Sequence, residues 1–282
     1  MSAPGLPSLL VSHWHPAAGP TVAAIGAAAA YLLATRRVRG WPAGRAACFL
    51  GGLAAVTAAL GSGIDAYDDR LLAVHMAQHM LLLLVAPLLL LAGRPVILGL
   101  RAAPPRRRPV LAHLLARVRT FTRPVPCLTV FTVVVVATHL PGFYDATLRQ
   151  PILHQTEHAL YLFAGLLLWW PVLDGDPAPA GRLGGLGRFV YLLAAMAPMA
   201  LVGAYLNRDP RLLYAPYGPA ARALGVSPIT DQAQAGAFMW VGGDMLMVAV
   251  ALWMALATLL AEERRQQRLD RRAADVRPGA AR

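Results

Sequence analysis

Lysine is missing altogether: all 26 basic residues are arginine. Charge of either sign is scarce, at 14% of 282 residues against 57% hydrophobic. Soluble domains carry about a quarter charged residues, so the deficit argues against an ordinary soluble fold and for a membrane protein. Cysteine is nearly absent too, and Cys48 with Cys127 is too few for a disulfide framework. The first nineteen residues lack a basic start followed by an apolar stretch, so no cleavable signal peptide is expected. What remains is a chain rich in apolar runs, with a formal charge of +12 carried by arginine alone.

A helix needs about 20 mostly apolar residues to cross a bilayer. Seven stretches qualify: 20–37, 43–62, 70–93, 122–140, 150–173, 186–207 and 232–261. Between them lie loop-like segments such as "GRPVILGLRAAPPRRRP" and "NRDPRLLYAPYGP". The expectation is an all-α fold, a polytopic membrane helical bundle of seven transmembrane helices. It has an extracytoplasmic segment 1–19, a membrane domain 20–261 and a basic tail 262–282. Arginine is distributed unevenly across alternate sides. Arg70, Arg149, Arg208, Arg211 and Arg222 fall on one side and the other 21 on the opposite side. The basic side is expected to be cytoplasmic, which puts the N-terminus outside and the C-terminus inside. Arginine is then an orientation signal and a lipid-headgroup contact, and nucleic acid is excluded as a partner.

The polar residues inside these runs share a depth. The third stretch starts near Arg70 and carries His75, Gln78 and His79 in its first turns. The fifth starts near Gln150 and carries His154, Glu157 and His158; the seventh starts with Asp231 and Gln232. The fourth runs the other way and ends with His139 at that outer level. His13 and His15 lie in the outer N-terminal segment, and only His113 falls on the cytoplasmic side. Residues at i and i+4 stack on one helix face, with i+3 beside them. His75, Gln78 and His79 thus make one polar stripe, and His154, Glu157 and His158, extended by Tyr161, make another. Stripes facing lipid would be costly, so both should face the bundle interior.

The residues alone leave several readings open. A histidine in a membrane helix can be a packing residue that hydrogen-bonds a neighbour. Stacked i,i+4 histidine pairs are also a common metal-binding geometry. Imidazole suits copper, zinc, iron and nickel, and thioethers such as Met76, Met80, Met196, Met199 and Met239 would favour copper, above all Cu(I). Methionine is equally an ordinary gap-filler, and Met76 and Met80 point about 100° away from the histidine stripe. His154-x-x-Glu157-His158 matches the inverted zinc-protease motif, but the first copy has glutamine where the base would be. Haem needs one axial histidine per helix and would leave the i+4 partners unexplained. Asp244 lies thirteen residues beyond Asp231, about 20 Å deeper, as a relay or a structural hydrogen-bonder. Cys48 and Cys127 fall near cytoplasmic helix ends, as recipients of Cu(I) or small core residues. Tyr214 and Tyr217 are expected in an outer loop at the interface.

Three stretches, "HMAQHMLLLLVAPLLLLAGRPV", "THLPGFYDATLRQPILHQTEHALYLFAGLLLWWPV" and "DQAQAGAFMWVGGDM", resemble the CtaG family of bacterial cytochrome c oxidase assembly proteins. This is the multi-span family, not the single-span copper chaperone that shares the label. The resemblance implies a polytopic protein of the bacterial plasma membrane that helps copper reach the catalytic subunit of a haem–copper oxidase. It implies oxidase subunits as partners, with a copper chaperone as a further one, and no catalysed reaction. Its polar positions fall on His75, Gln78, His79, His139, His154, His158, Asp231 and Gln232. The expected arrangement has His75, His79, His154, His158 and His139 on copper, with Gln78, Glu157, Asp231 and Gln232 behind them orienting ring nitrogens. A copper or proton transporter and a metal-free scaffold are the alternatives.

Overall fold

Prolines punctuate the chain: Pro95, Pro124, Pro141, Pro151 and Pro228 each open a helix. The first helical turn has no use for the missing N–H, so proline is favoured there. A computed structural model describes residues 14–15, 17–118, 121–173 and 183–276, and among these no strand occurs. His13, most of segment 1–19 and the end of the basic tail lie outside the described residues.

Helices α1 (Ala18–Arg37) and α2 (Ala43–Ala59) form an antiparallel pair, and a short α3 (Gly63–Tyr67) follows. Helix α4 (Leu72–Met80) continues through a π-helical turn (Leu81–Val85) into α5 (Ala86–Ala92). This rod is central: α2 and α10 (Pro151–Trp169) pack on its lower part, and α13 (Pro228–Ala237) packs on α4. Helix α8 (Pro124–Thr138) lies against α10 and bends by 74° into α9 (Pro141–Arg149). Helix α11 (Gly185–Arg208) packs on α8 and α13. A short α12 (Tyr217–Ala223) precedes α13, which passes through a second π-helical turn (Phe238–Gly242) into α14 (Gly243–Val276).

Each of the seven expected stretches is helical. Among the described residues, by length and apolarity alone, five helices are able to cross a membrane, or six if the bent α8–α9 pair is one span. Helix α10 is not among them, and the reason is physical. Its outer turns hold His154, Gln155, Thr156, Glu157 and His158, which bring down the hydropathy of the whole helix. The segment read as a loop after Ala92 is largely helical. Arg94 takes a left-handed turn (φ 55°) and starts α6 (Pro95–Ala102), whose Leu98 is buried with Tyr31 and Phe49; α7 (Arg108–Val118) follows. The tail is also helical as far as Val276.

Small residues set the helix spacing. A Cβ on Gly165 of α10 would collide with the Leu83 carbonyl and Pro87, so α10 touches the π-helical turn backbone to backbone. A Cβ on Gly203 of α11 would lie 2.7 Å from the Gly236 carbonyl oxygen of α13. Apolar side chains including Val22, Ile25, Leu193, Leu201 and Leu252 stay exposed on outward faces, as expected where lipid is the solvent.

Candidate metal centre

The Gly165 contact seats α10 against the rod just below α4, and the polar stripes of α4 and α10 meet. His75 and His79 have no exposed surface, and their Nε2 atoms lie 2.7 Å apart. The His75 ring centroid is 5.1 Å from that of His154 and 6.2 Å from that of His158, while His79 is 6.0 Å from His158. His154 and His158 are 4.3 Å apart. Glu157 is fully buried between them, with Oε2 3.9 Å from His75 Nε2. Two groupings bring one ligand atom per residue within 4.8 Å of one another: His75, His154 and His158, and His75, His79 and Glu157.

The protons can be traced. Tyr217 donates its hydroxyl hydrogen to the Asp68 carbonyl oxygen at 2.9 Å, since a carbonyl only accepts. Burial pushes the Tyr217 phenol well above its ordinary range, so that hydrogen stays in place. The Tyr217 oxygen therefore accepts from His75 Nδ1 at 2.8 Å, which leaves the Nε2 lone pair of His75 directed into the cluster. His79 stacks on Tyr161 at 4.0 Å. Its Nδ1, the Nε2 of His154 and His158, and both oxygens of Glu157 are buried without a hydrogen-bond partner. Buried polar atoms are normally paired, so this density of unpaired lone pairs needs an explanation, and a bound cation is one.

The cluster is open on one side. His154 and His158 line a cavity of about 1080 Å3 walled by α1, α2 and α10. Asp68 stands at its edge, Oδ2 3.7 Å from His154 Nε2. Burial, and then the neighbouring Asp65 and Asp69 carboxylates, push Asp68 up to about 8.

The model of the cytochrome c oxidase caa3 assembly factor family, Caa3_CtaG, matches residues 29–260, which include every residue of this cluster. The chain belongs to that family. An uncharacterized protein of Mycobacterium bovis is 33% identical over 247 residues, and one of Mycobacterium leprae 29% identical over 243. These alignments take in 83% and 82% of this chain but 37% of each relative, so the chain spans little more than a third of the curated relatives it matches. No solved structure matches.

The other polar residues of this CtaG-family chain brace the site. Asp231 accepts the backbone N–H groups of Leu72 (2.7 Å) and Ala73 (3.1 Å) and so caps α4 from across the bundle, where Leu71 offers no side-chain cap. Gln78 donates to the Ala59 carbonyl oxygen at 2.8 Å and ties α4 to α2. Gln232 accepts from Leu213 N–H and donates to the Arg211 carbonyl oxygen, pinning the segment that leads to Tyr217. Among the described hydrogen bonds none of the three reaches an imidazole. His139 joins the cluster's far side, 6.4 Å from His79 ring to ring.

Sequence reasoning missed Tyr217, which was expected at the interface but is buried with Tyr144 and Tyr214 above His75. No periodicity signals a residue of a short helix outside the apolar runs, 142 positions from its partner. Met76 is a second surprise. Helix α4 is buried on all sides, so a residue about 100° from the histidine stripe still faces the interior. Outside the cluster, His15 and His113 are exposed, Cys48 is half-buried and Cys127 buried.

Proposed function

We propose that this chain is a cytochrome c oxidase assembly factor that binds copper at His75, His79, His154 and His158 and passes it to the oxidase catalytic subunit. Seven spans of a bacterial plasma membrane carry the site near the outer face, with the N-terminus outside, the C-terminus cytoplasmic and residues 20–261 forming the membrane domain. The work is binding and hand-over, with no reaction catalysed. The observation that carries this reading is the convergence of four imidazoles and one carboxylate, in which a ring nitrogen of His79, His154 and His158 and both oxygens of Glu157 are buried without a partner. Imidazole nitrogens beside a thioether-bearing helix suit copper. The cavity against His154 and His158 supports exchange, because a closed cage would not release its cargo.

The deciding experiment is metal content by mass spectrometry after copper loading. Wild type is compared with a variant carrying His75, His79, His154 and His158 changed to Asn. Near-stoichiometric copper that disappears in the variant is expected. A folded wild type that takes up no copper sinks the site and leaves a scaffold that packs against oxidase subunits. A transport reading draws on half-buried Asp244, whose Oδ1 has no hydrogen-bond partner. Asp244→Asn separates the two readings: copper uptake into vesicles should be unchanged for an assembly factor and lost for a transporter.

A further inference from the structure

His139 and Met76 meet in a way that ordinary packing does not require. His139 closes α8 just before the bend, where its Nδ1 lies 2.7 Å from the Val135 carbonyl oxygen. A carbonyl oxygen only accepts, so Nδ1 carries the hydrogen, and a neutral ring then has a bare lone pair on Nε2. That Nε2 faces Met76 Sδ at 3.5 Å. Met76 has no exposed surface and His139 is almost fully buried. A thioether is itself only a weak acceptor, so two lone-pair donors confront each other with no hydrogen between them.

We infer that Met76 Sδ and His139 Nε2 are two ligands of a cuprous ion, forming a soft end to the histidine site. The inference rests on the copper reading above and specifies its oxidation state and donor set. With bonds typical of mixed N/S sites, about 2.0 Å to nitrogen and about 2.3 Å to sulfur, a 3.5 Å separation gives an angle of about 110° at the metal. That is the angle of a tetrahedral or slightly closed trigonal ion, reached with no movement of either side chain. His79 offers a third donor from the shared cluster: its Nδ1 has no hydrogen-bond partner, and its ring stands nearly perpendicular to that of His139, 6.4 Å away centre to centre. Thioether sulfur selects Cu(I) over zinc and over oxidised copper. The Val135 carbonyl, which fixes the tautomer of His139, plays the part for this ring that Tyr217 plays for His75.

The test is X-ray absorption on the Cu(I)-loaded full chain in detergent, with Cu(I) affinity measured by competition against a chromophoric chelator. Wild type should show a sulfur scatterer, and Met76→Leu should lose it together with at least tenfold in Cu(I) affinity. Zn(II) binding should change by less than twofold, because His75, His154 and His158 remain. If Met76→Leu folds poorly, selenomethionine-substituted wild type gives the same answer through a copper–selenium contact at the selenium edge. Loaded wild type with nitrogen scatterers alone overturns this inference and leaves the histidine site standing. A folded wild type that binds no copper overturns both.

Discussion

His75 and His79 on α4 have no exposed surface, and one of their rings is held from behind by Tyr217. His154 and His158 on α10 repeat the same i,i+4 spacing but line an open cavity beside Asp68. The spacing is identical, yet the rings differ in access and support. Helix α4 is packed by α13, the short α3 and the second π-helical turn, and most of its residues are buried, whereas the outer turns of α10 are largely exposed. The lesson is that spacing specifies that two imidazoles share a face, while the neighbours of that face decide what they can do. In the copper site proposed above, the inner pair would retain the ion and the outer pair would receive or release it.

The sharpest way to break this comparison is to remove one pair at a time. His75→Asn with His79→Asn should reduce bound copper to background. His154→Asn with His158→Asn should leave measurable copper that exchanges faster, read by mass spectrometry and by chelator-driven release. Equal loss from both would erase the distinction. Next in size is Gly165→Leu, which pushes the two pairs apart at the contact with the Leu83 carbonyl. Overpacking against backbone should cost about 3 kcal/mol, seen as a lower unfolding temperature in detergent, together with loss of copper.

Tyr217→Phe acts on the inner pair alone. Losing the acceptor for His75 Nδ1 frees the ring to change tautomer, so copper affinity should fall about 10- to 100-fold with folding intact. An unchanged affinity would show that the support is not needed. The smallest effect belongs to Asp231→Ala, which removes the cap from the first turn of α4. It should lower stability by about 1 kcal/mol in a denaturant titration, with little effect on the outer pair.

Much of this was legible in the residues. The positions of the helices followed from apolar runs, and the convergence of His75, His79, His154 and His158 followed from spacing and shared depth. The rest was hidden for identifiable reasons. The role of Asp231 is a backbone cap on a helix some 160 residues earlier, and no pattern within α13 reports it. Met76 was discounted by assuming that α4 has one interior face, although it is buried all round. Helix α9, which supplies Tyr144, is short and polar and lies between two recognisable runs. The approach of α10 to the central rod depends on the missing side chain of Gly165, which is silent in a hydropathy profile.

The π-helical turn at Leu81–Val85 adds a consequence of its own. A π turn is an α-helix with one residue too many, so it rotates everything above it by about one residue's worth, roughly 100°, relative to everything below. The upper piece of the rod aims the inner histidines, and the lower piece seats leucines against α2 and α10. The rod is thus keyed twice, like a shaft with two flats cut at different angles. The heading of the histidines is set independently of the packing that anchors the helix in the bundle.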